Sequence, residues 1–91
     1  MRIAVFGATG VVGRALVSRL AECNEVVAVS RHAQPARRVN VETATADVTD
    51  APAVRRVLAG IDVVYYLVHS LGSPDYAERV SVFFRDIRAA A

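Results

Sequence analysis

Apolar positions along the chain alternate between two spacings. Arg2-Ile-Ala-Val-Phe6 is a short continuous apolar run that stops at Gly7, as a strand covered on both faces does. From there the spacing becomes four. Val12, Leu16 and Leu20 share one side with Ala15 beside them, and Arg14, Ser18 and Arg19 fall toward the other. This predicts an amphipathic helix ending near Cys23-Asn24, where asparagine tolerates a left-handed terminal position. Glu25-Val-Val-Ala-Val-Ser30 reads as a second strand, and residues 31–39, with Pro35 and no apolar period, as a loop. A third, β-branched strand covers Val41 to Ala46. Asp47-Val-Thr-Asp50 then gives a turn and a helix cap, with Pro52 in the first helical turn. Ala53, Val54, Val57 and Leu58 form the buried stripe of that helix, and Gly60 ends it. Ile61 to Val68 is the strongest strand. Ser73-Pro74 opens a last helix carrying Tyr76, Val80, Phe83 and Ile87 on one face.

Strands that alternate with helices predict a parallel sheet with right-handed crossovers. The expected strand order is 3-2-1-4, the first half of a doubly wound α/β fold plus one strand of the second. Residues 1–91 make one unit of this kind, with the second half missing. Connections toward strand two and toward strand four run in opposite directions, so their helices cover opposite faces of the sheet. One helix is then left over four strands on the first face. Val63 to Val68, apolar on both sides, sits at an edge. The chain is therefore expected to self-associate or to require a missing C-terminal segment.

Between the first strand and the first helix lies Gly7-Ala-Thr-Gly-Val-Val-Gly13. Gly-x-x-Gly-x-x-Gly in that context is the phosphate-binding turn of a Rossmann-like fold. Glycines permit the tight turn and the close approach of a pyrophosphate, and free N–H groups near Thr9 to Val12, with the helix dipole, supply the anion site. The bland alternative is a glycine-rich turn with no ligand, but the strand, the helix and the later βα units favour a nucleotide.

Composition and charge narrow the field further. All eleven basic residues are arginine, so a Walker A loop, which requires Gly-Lys, is excluded, as is a Tyr-x-x-x-Lys catalytic pair. A net charge of +2, with Arg37-Arg38 and Arg55-Arg56 far apart and without interleaved aromatics, predicts a solvated surface and no nucleic-acid partner. The longest apolar run, Val63 to Val68, is too short to span a bilayer, and the glycines at 7, 10 and 13 break any signal-peptide pattern. The single cysteine, Cys23, cannot form an internal disulfide, which fits a reducing, cytoplasmic setting. One cysteine and two separated histidines, His32 and His69, give no metal-ligand spacing.

The Gly-Ala-Thr-Gly-x-x-Gly spacing resembles that of the extended and atypical short-chain dehydrogenase/reductase families, including the NmrA-like NAD(P)-binding proteins. Asp47-Val48, Gly60-Ile-Asp62 and Tyr65-Tyr-Leu-Val-His-Ser70 fit the same resemblance, which spans this whole chain but only the N-terminal third or so of such a protein. It implies that Gly7, Thr9, Gly10, Val11, Val12 and Gly13 cradle the pyrophosphate. It also implies that Asp47 bonds the adenine amino group, that Val48 packs on the adenine ring, and that Val68, His69 and Ser70 lie near the nicotinamide ribose. Asp47 stands equally as a turn or helix cap shared with Thr49 and Asp50, and His69 also reads as a plain loop histidine.

Cofactor choice rests on the end of the second strand. An NAD binder carries Asp or Glu about 20 residues beyond the glycine turn. Here the sequence reads Ser30-Arg31-His32, and arginine suits a 2′-phosphate. Arg14 could add charge. NADP(H) is thus favoured over NAD(H), against the alternative that both arginines are ordinary surface residues. Substrate and catalytic groups of the related enzymes come from the fifth strand onward. The chain therefore reads as the cofactor-binding portion of an NADP(H)-dependent reductase, without turnover of its own. The alternatives are a non-catalytic NADP(H)-binding redox sensor and a truncated product without activity.

Overall fold

The structure, a computed structural model, describes residues 1–32, 34, 35 and 38–68. The chain runs β1 (Arg2–Phe6), α1 (Val11–Leu20), β2 (Glu25–Ser30), β3 (Val41–Thr45), α2 (Ala51–Leu58) and β4 (Val63–Tyr66). The four strands form one parallel sheet in the order β3-β2-β1-β4, as the alternation of elements predicted. The helix expected after Ser73-Pro74 lies outside the described residues.

Residues alternate across the sheet, so each strand feeds two cores. Ile3, Val5, Val26 and Val41 face α1, where Leu16, Val17, Leu20 and Ala21 pack on them. Ala4, Phe6, Val27 and Val29 face α2 and meet Ala53, Val54 and Leu58. The two helices thus lie on opposite faces. No helix occurs in the described residues between β2 and β3, which leaves α1 alone on its face among them. Among the described residues β4 pairs with β1 only, and no helix is long and apolar enough to cross a membrane.

Local chemistry sets the ends of the elements. Asp50 caps α2 by accepting from the Ala53 N–H at 3.3 Å, and Pro52 fits the first turn because its missing N–H has no partner there. The end of α1 differs from the sequence expectation. The helix stops at Leu20, and no described residue other than glycine has positive φ, so Asn24 is not left-handed. Asn24 instead donates through its side-chain amide to the Leu20 carbonyl at 3.1 Å. The Asn40 amide donates to the carbonyls of Ala21 and Asn24, which ties the end of α1 to the start of β3.

The buried stripe of α1 is also out of phase with the prediction. Val12 is 60% exposed and Val11 90% exposed, and Ala15 is exposed as well; the stripe begins at Gly13. A Cβ on Gly13 would stand 2.2 Å from the Gly7 carbonyl oxygen and 2.9 Å from Ala8 Cα. The helix therefore meets the turn through bare backbone. A hydrophobic period cannot register a contact made by a residue with no side chain.

Candidate functional site at the carboxyl edge of the sheet

Parallel strands end together, and the loops that leave β1, β2, β3 and β4 frame a crevice of about 300 Å³. Its walls include Gly7, Thr9, Gly10, Arg31, Asp47, Val48 and Val68, seven of the residues singled out from sequence. Phe6, Val29, Ser30, Ala46 and Leu67 line it as well. Ser30 carries the polar group among these. Its signal in the sequence was its position as the last residue of a strand that ends at the crevice. Its hydroxyl donates to the His32 carbonyl, which shapes the exit of β2.

The glycine turn is clipped to β2, because the N–H groups of Gly7 and Ala8 both donate to the Val29 carbonyl, at 3.2 and 3.3 Å. Gly7 has φ +86°, and a Cβ there would lie 2.7 Å from the Leu67 carbonyl oxygen. Glycine is required on both counts. Gly10 is different. Its backbone is extended, at φ −70° and ψ 169°, and a Cβ would meet nothing nearer than the Gly7 carbonyl oxygen at 3.7 Å. The fold does not itself need glycine at this position, which lies on the crevice wall.

Gly10 is also the N-cap of α1. It provides no side-chain acceptor, and the first turn holds no acidic residue. Arg14 is the first N–H to find a helical acceptor, donating to the Gly10 carbonyl at 2.9 Å. The N–H groups of Val11, Val12 and Gly13 have no acceptor among the described residues. These three residues therefore offer backbone donors and the positive end of the helix dipole, not crevice-lining side chains, and that combination favours an anion.

Asp47 serves the turn after β3. Its Oδ1 accepts from the Thr49 N–H at 2.8 Å and from the Thr49 hydroxyl at 2.6 Å, and its carbonyl accepts from the Asp50 N–H at 2.9 Å. The turn role and the place on the crevice wall coexist. Val48 is buried against the α2 core beside it. Arg31 is exposed on the crevice rim. Arg14 lines a separate cavity on the α1 face instead of the crevice. His69 and Ser70 lie outside the described residues. Among the described residues no group of three His, Cys, Asp or Glu side chains is placed to hold a metal.

A family model described as NAD(P)H-binding matches residues 7–90, from the first glycine of the turn almost to the end of the chain. The chain belongs to the NAD(P)H-binding family. An uncharacterized protein of Mycobacterium tuberculosis is 40% identical to this NAD(P)H-binding chain over 77 residues, which are 84% of this chain and 9% of that protein. Uronate dehydrogenase from Agrobacterium tumefaciens, in a mutant form complexed with NAD, superposes with a TM-score of 0.80 at 25% identity, covering 97% of this chain and 36% of the enzyme. Glucuronic acid dehydrogenase from Chromohalobacter salexigens gives 0.83 at 26% identity, covering 99% and 35%. The chain thus spans about a third of these enzymes and less than a tenth of its mycobacterial relative.

Proposed function

We propose that this chain binds a dinucleotide in the crevice, with NADP(H) preferred to NAD(H), as the cofactor-binding portion of an atypical, NmrA-like reductase. The observation that carries the reading is the pairing of an uncapped α1 N-terminus with Gly10, a glycine that the fold does not itself require. The pyrophosphate lies on the N–H groups of Val11, Val12 and Gly13, close to Gly7, Thr9 and Gly10. The adenosine extends over Val48 toward Asp47, and the nicotinamide ribose toward Val68, His69 and Ser70. A dinucleotide supplies hydride chemistry when bound; the residues of this chain bind and orient it. The similarity of the chain to uronate and glucuronic acid dehydrogenases supports an oxidoreductase setting, with the substrate held by further parts of the protein.

The preference for NADP(H) rests on the end of β2. Ser30-Arg31-His32 brings no carboxylate to the crevice where a ribose 2′-hydroxyl would need an acceptor, and it does bring the Arg31 guanidinium to the rim. Titration calorimetry of the protein with NADPH and NADH tests both parts of this reading. NADPH is expected to bind at least about tenfold more tightly, and Arg31→Ala to lose about that factor for NADPH alone, since a hydrogen bond to a charged group is worth about 1.5–3 kcal/mol. Equal affinities, or an Arg31→Ala variant with the parent's values, would remove the preference.

We also infer that the free edge of β4 pairs with a further strand, from a later segment or from a second copy. Val63 and Val64 are apolar neighbours on a strand that pairs on one side only among the described residues, and the superposed enzymes are far longer. Sedimentation of the isolated 91 residues is expected to show association, with strong binding of a dye for apolar surface. A cooperatively melting monomer that leaves the dye dark would refute it.

A further inference from the structure

Asn40 is the last residue before β3, at the edge of the sheet opposite the crevice, and it is bonded in three directions. Its carbonyl accepts from the Val26 N–H of β2 at 3.0 Å. Its side-chain amide donates to the Ala21 carbonyl and, at 2.8 Å, to the Asn24 carbonyl. Both amide hydrogens are thus used, and both go to backbone. Ala21 is the C-cap of α1 and is buried. Asn40 therefore joins the carboxyl end of α1 to two strands at once.

The helix needs such a tie. α1 stands alone on its face among the described elements, so no neighbouring helix among them braces it. Leu16, Val17 and Leu20 press it onto Ile3, Val5 and Val26, but apolar contact is non-directional and does not fix a helix along its own axis. Hydrogen bonds are directional and do. At its amino end α1 has no side-chain cap and meets the turn only through the bare backbone of Gly13. Arg38 also reaches α1, donating to the Ser18 hydroxyl at 3.1 Å, but this contact is exposed and made by a long side chain, so it restrains less. The Asn40 amide, partly buried and doubly bonded, is the firmer hold.

We propose that Asn40 is a positioning residue for phosphate binding: by fixing the carboxyl end of α1 it sets where the N–H groups of Val11, Val12 and Gly13 stand, about 15 Å away along the helix. The proposal rests on pyrophosphate binding at the amino end of α1 and adds to it the residue that holds the helix from the far end. Asn40 is not among the residues that line the crevice, so it acts through α1 alone. Without its amide the buried Ala21 carbonyl loses its donor, and the helix end must move toward water to replace it. The helix moves as a rod, and the N–H groups at its other end leave the geometry that a phosphate requires.

The test is titration of the parent, Asn40→Leu and Asn40→Ser with ADP, NADH and adenosine, together with thermal melts. Val57→Ala, which loosens the α2 face of the sheet, controls for lost stability in itself. Asn40→Leu, similar in size but without a donor, is expected to weaken ADP and NADH about tenfold while adenosine, which has no phosphate, keeps the parent's value. Asn40→Ser retains one donor and should show a smaller loss for the same two ligands. Val57→Ala should melt lower and keep all three affinities. Parent-like ADP affinity in Asn40→Leu overturns the role of Asn40 and leaves dinucleotide binding standing. An equal loss for adenosine and ADP, or the same selective loss in Val57→Ala, overturns it too, because the bond then serves stability alone. If Asn40→Leu does not fold, Asn40→Ser decides by the same comparison of ADP with adenosine. A parent that binds neither ADP nor NADH overturns the reading beneath the proposal.

Discussion

Gly10→Val is expected to leave the protein folded and to abolish dinucleotide binding. A valine tolerates the backbone that Gly10 already has, φ −70° and ψ 169°, and its Cβ starts from a point with one neighbour, at 3.7 Å. Valine is a poor N-cap compared with glycine, but the cost is about 1 kcal/mol or less, a shift of a few degrees in the melting temperature. The branched side chain stands where the pyrophosphate must approach the N–H groups of Val11, Val12 and Gly13. Losing two charge-assisted hydrogen bonds removes about 3 kcal/mol or more, which is about 100-fold in affinity. Thermal melts and NADPH titration of the same preparation separate the two effects. Parent-like binding would remove the pyrophosphate from this turn. A large drop in melting temperature would mean that the fold itself needs glycine here.

The parts of this molecule that were legible in the sequence are those decided within a few residues. The apolar run of β1 ends at a glycine, Asp50 and Pro52 open α2 in a local pattern, and strands alternating with helices leave few sheet orders open. The glycine turn was readable for the same reason, while Asp47, Val48 and Val68 were singled out through the family resemblance and line the crevice. Each comes just after a strand, and parallel strands deliver their outgoing loops to one edge. The phase of α1 was not readable, because Val11 and Val12 look like core residues while the actual contact is made by Gly13. The Asn40 bracket was hidden as well, since its acceptors, the carbonyls of Ala21 and Asn24, are 16 residues or more away along the chain.

Gly13→Ala gives the sharpest contrast with sequence expectation, because two effects of opposite sign compete. Gly13 sits in the first turn of a helix, and replacing glycine by alanine in a helix normally stabilises by about 1 kcal/mol. Propensity alone thus predicts a gain. The tertiary contact predicts a loss. The new methyl group would stand 2.2 Å from the Gly7 carbonyl oxygen, with Ala8 Cα at 2.9 Å and the Ala8 carbonyl carbon at 3.0 Å. All three are backbone atoms, so no side chain can rotate away. Relief requires α1 to move off the turn. That movement would loosen Leu16, Val17 and Leu20 from Ile3, Val5 and Val26. Overpacking of this kind costs about 1–3 kcal/mol and more where the backbone must shift, so the loss exceeds the gain in propensity. The expected net effect is a destabilisation of about 2 kcal/mol or more, a large part of the roughly 5–15 kcal/mol that holds a small domain folded. The turn moves with the helix, so NADPH affinity falls together with stability, unlike in Gly10→Val. Urea unfolding of parent and variant, read by circular dichroism, decides the sign. A midpoint at or above the parent's would show that α1 shifts freely over the turn, and the close approach of Gly13 to Gly7 would then have no part in holding the phosphate-binding geometry.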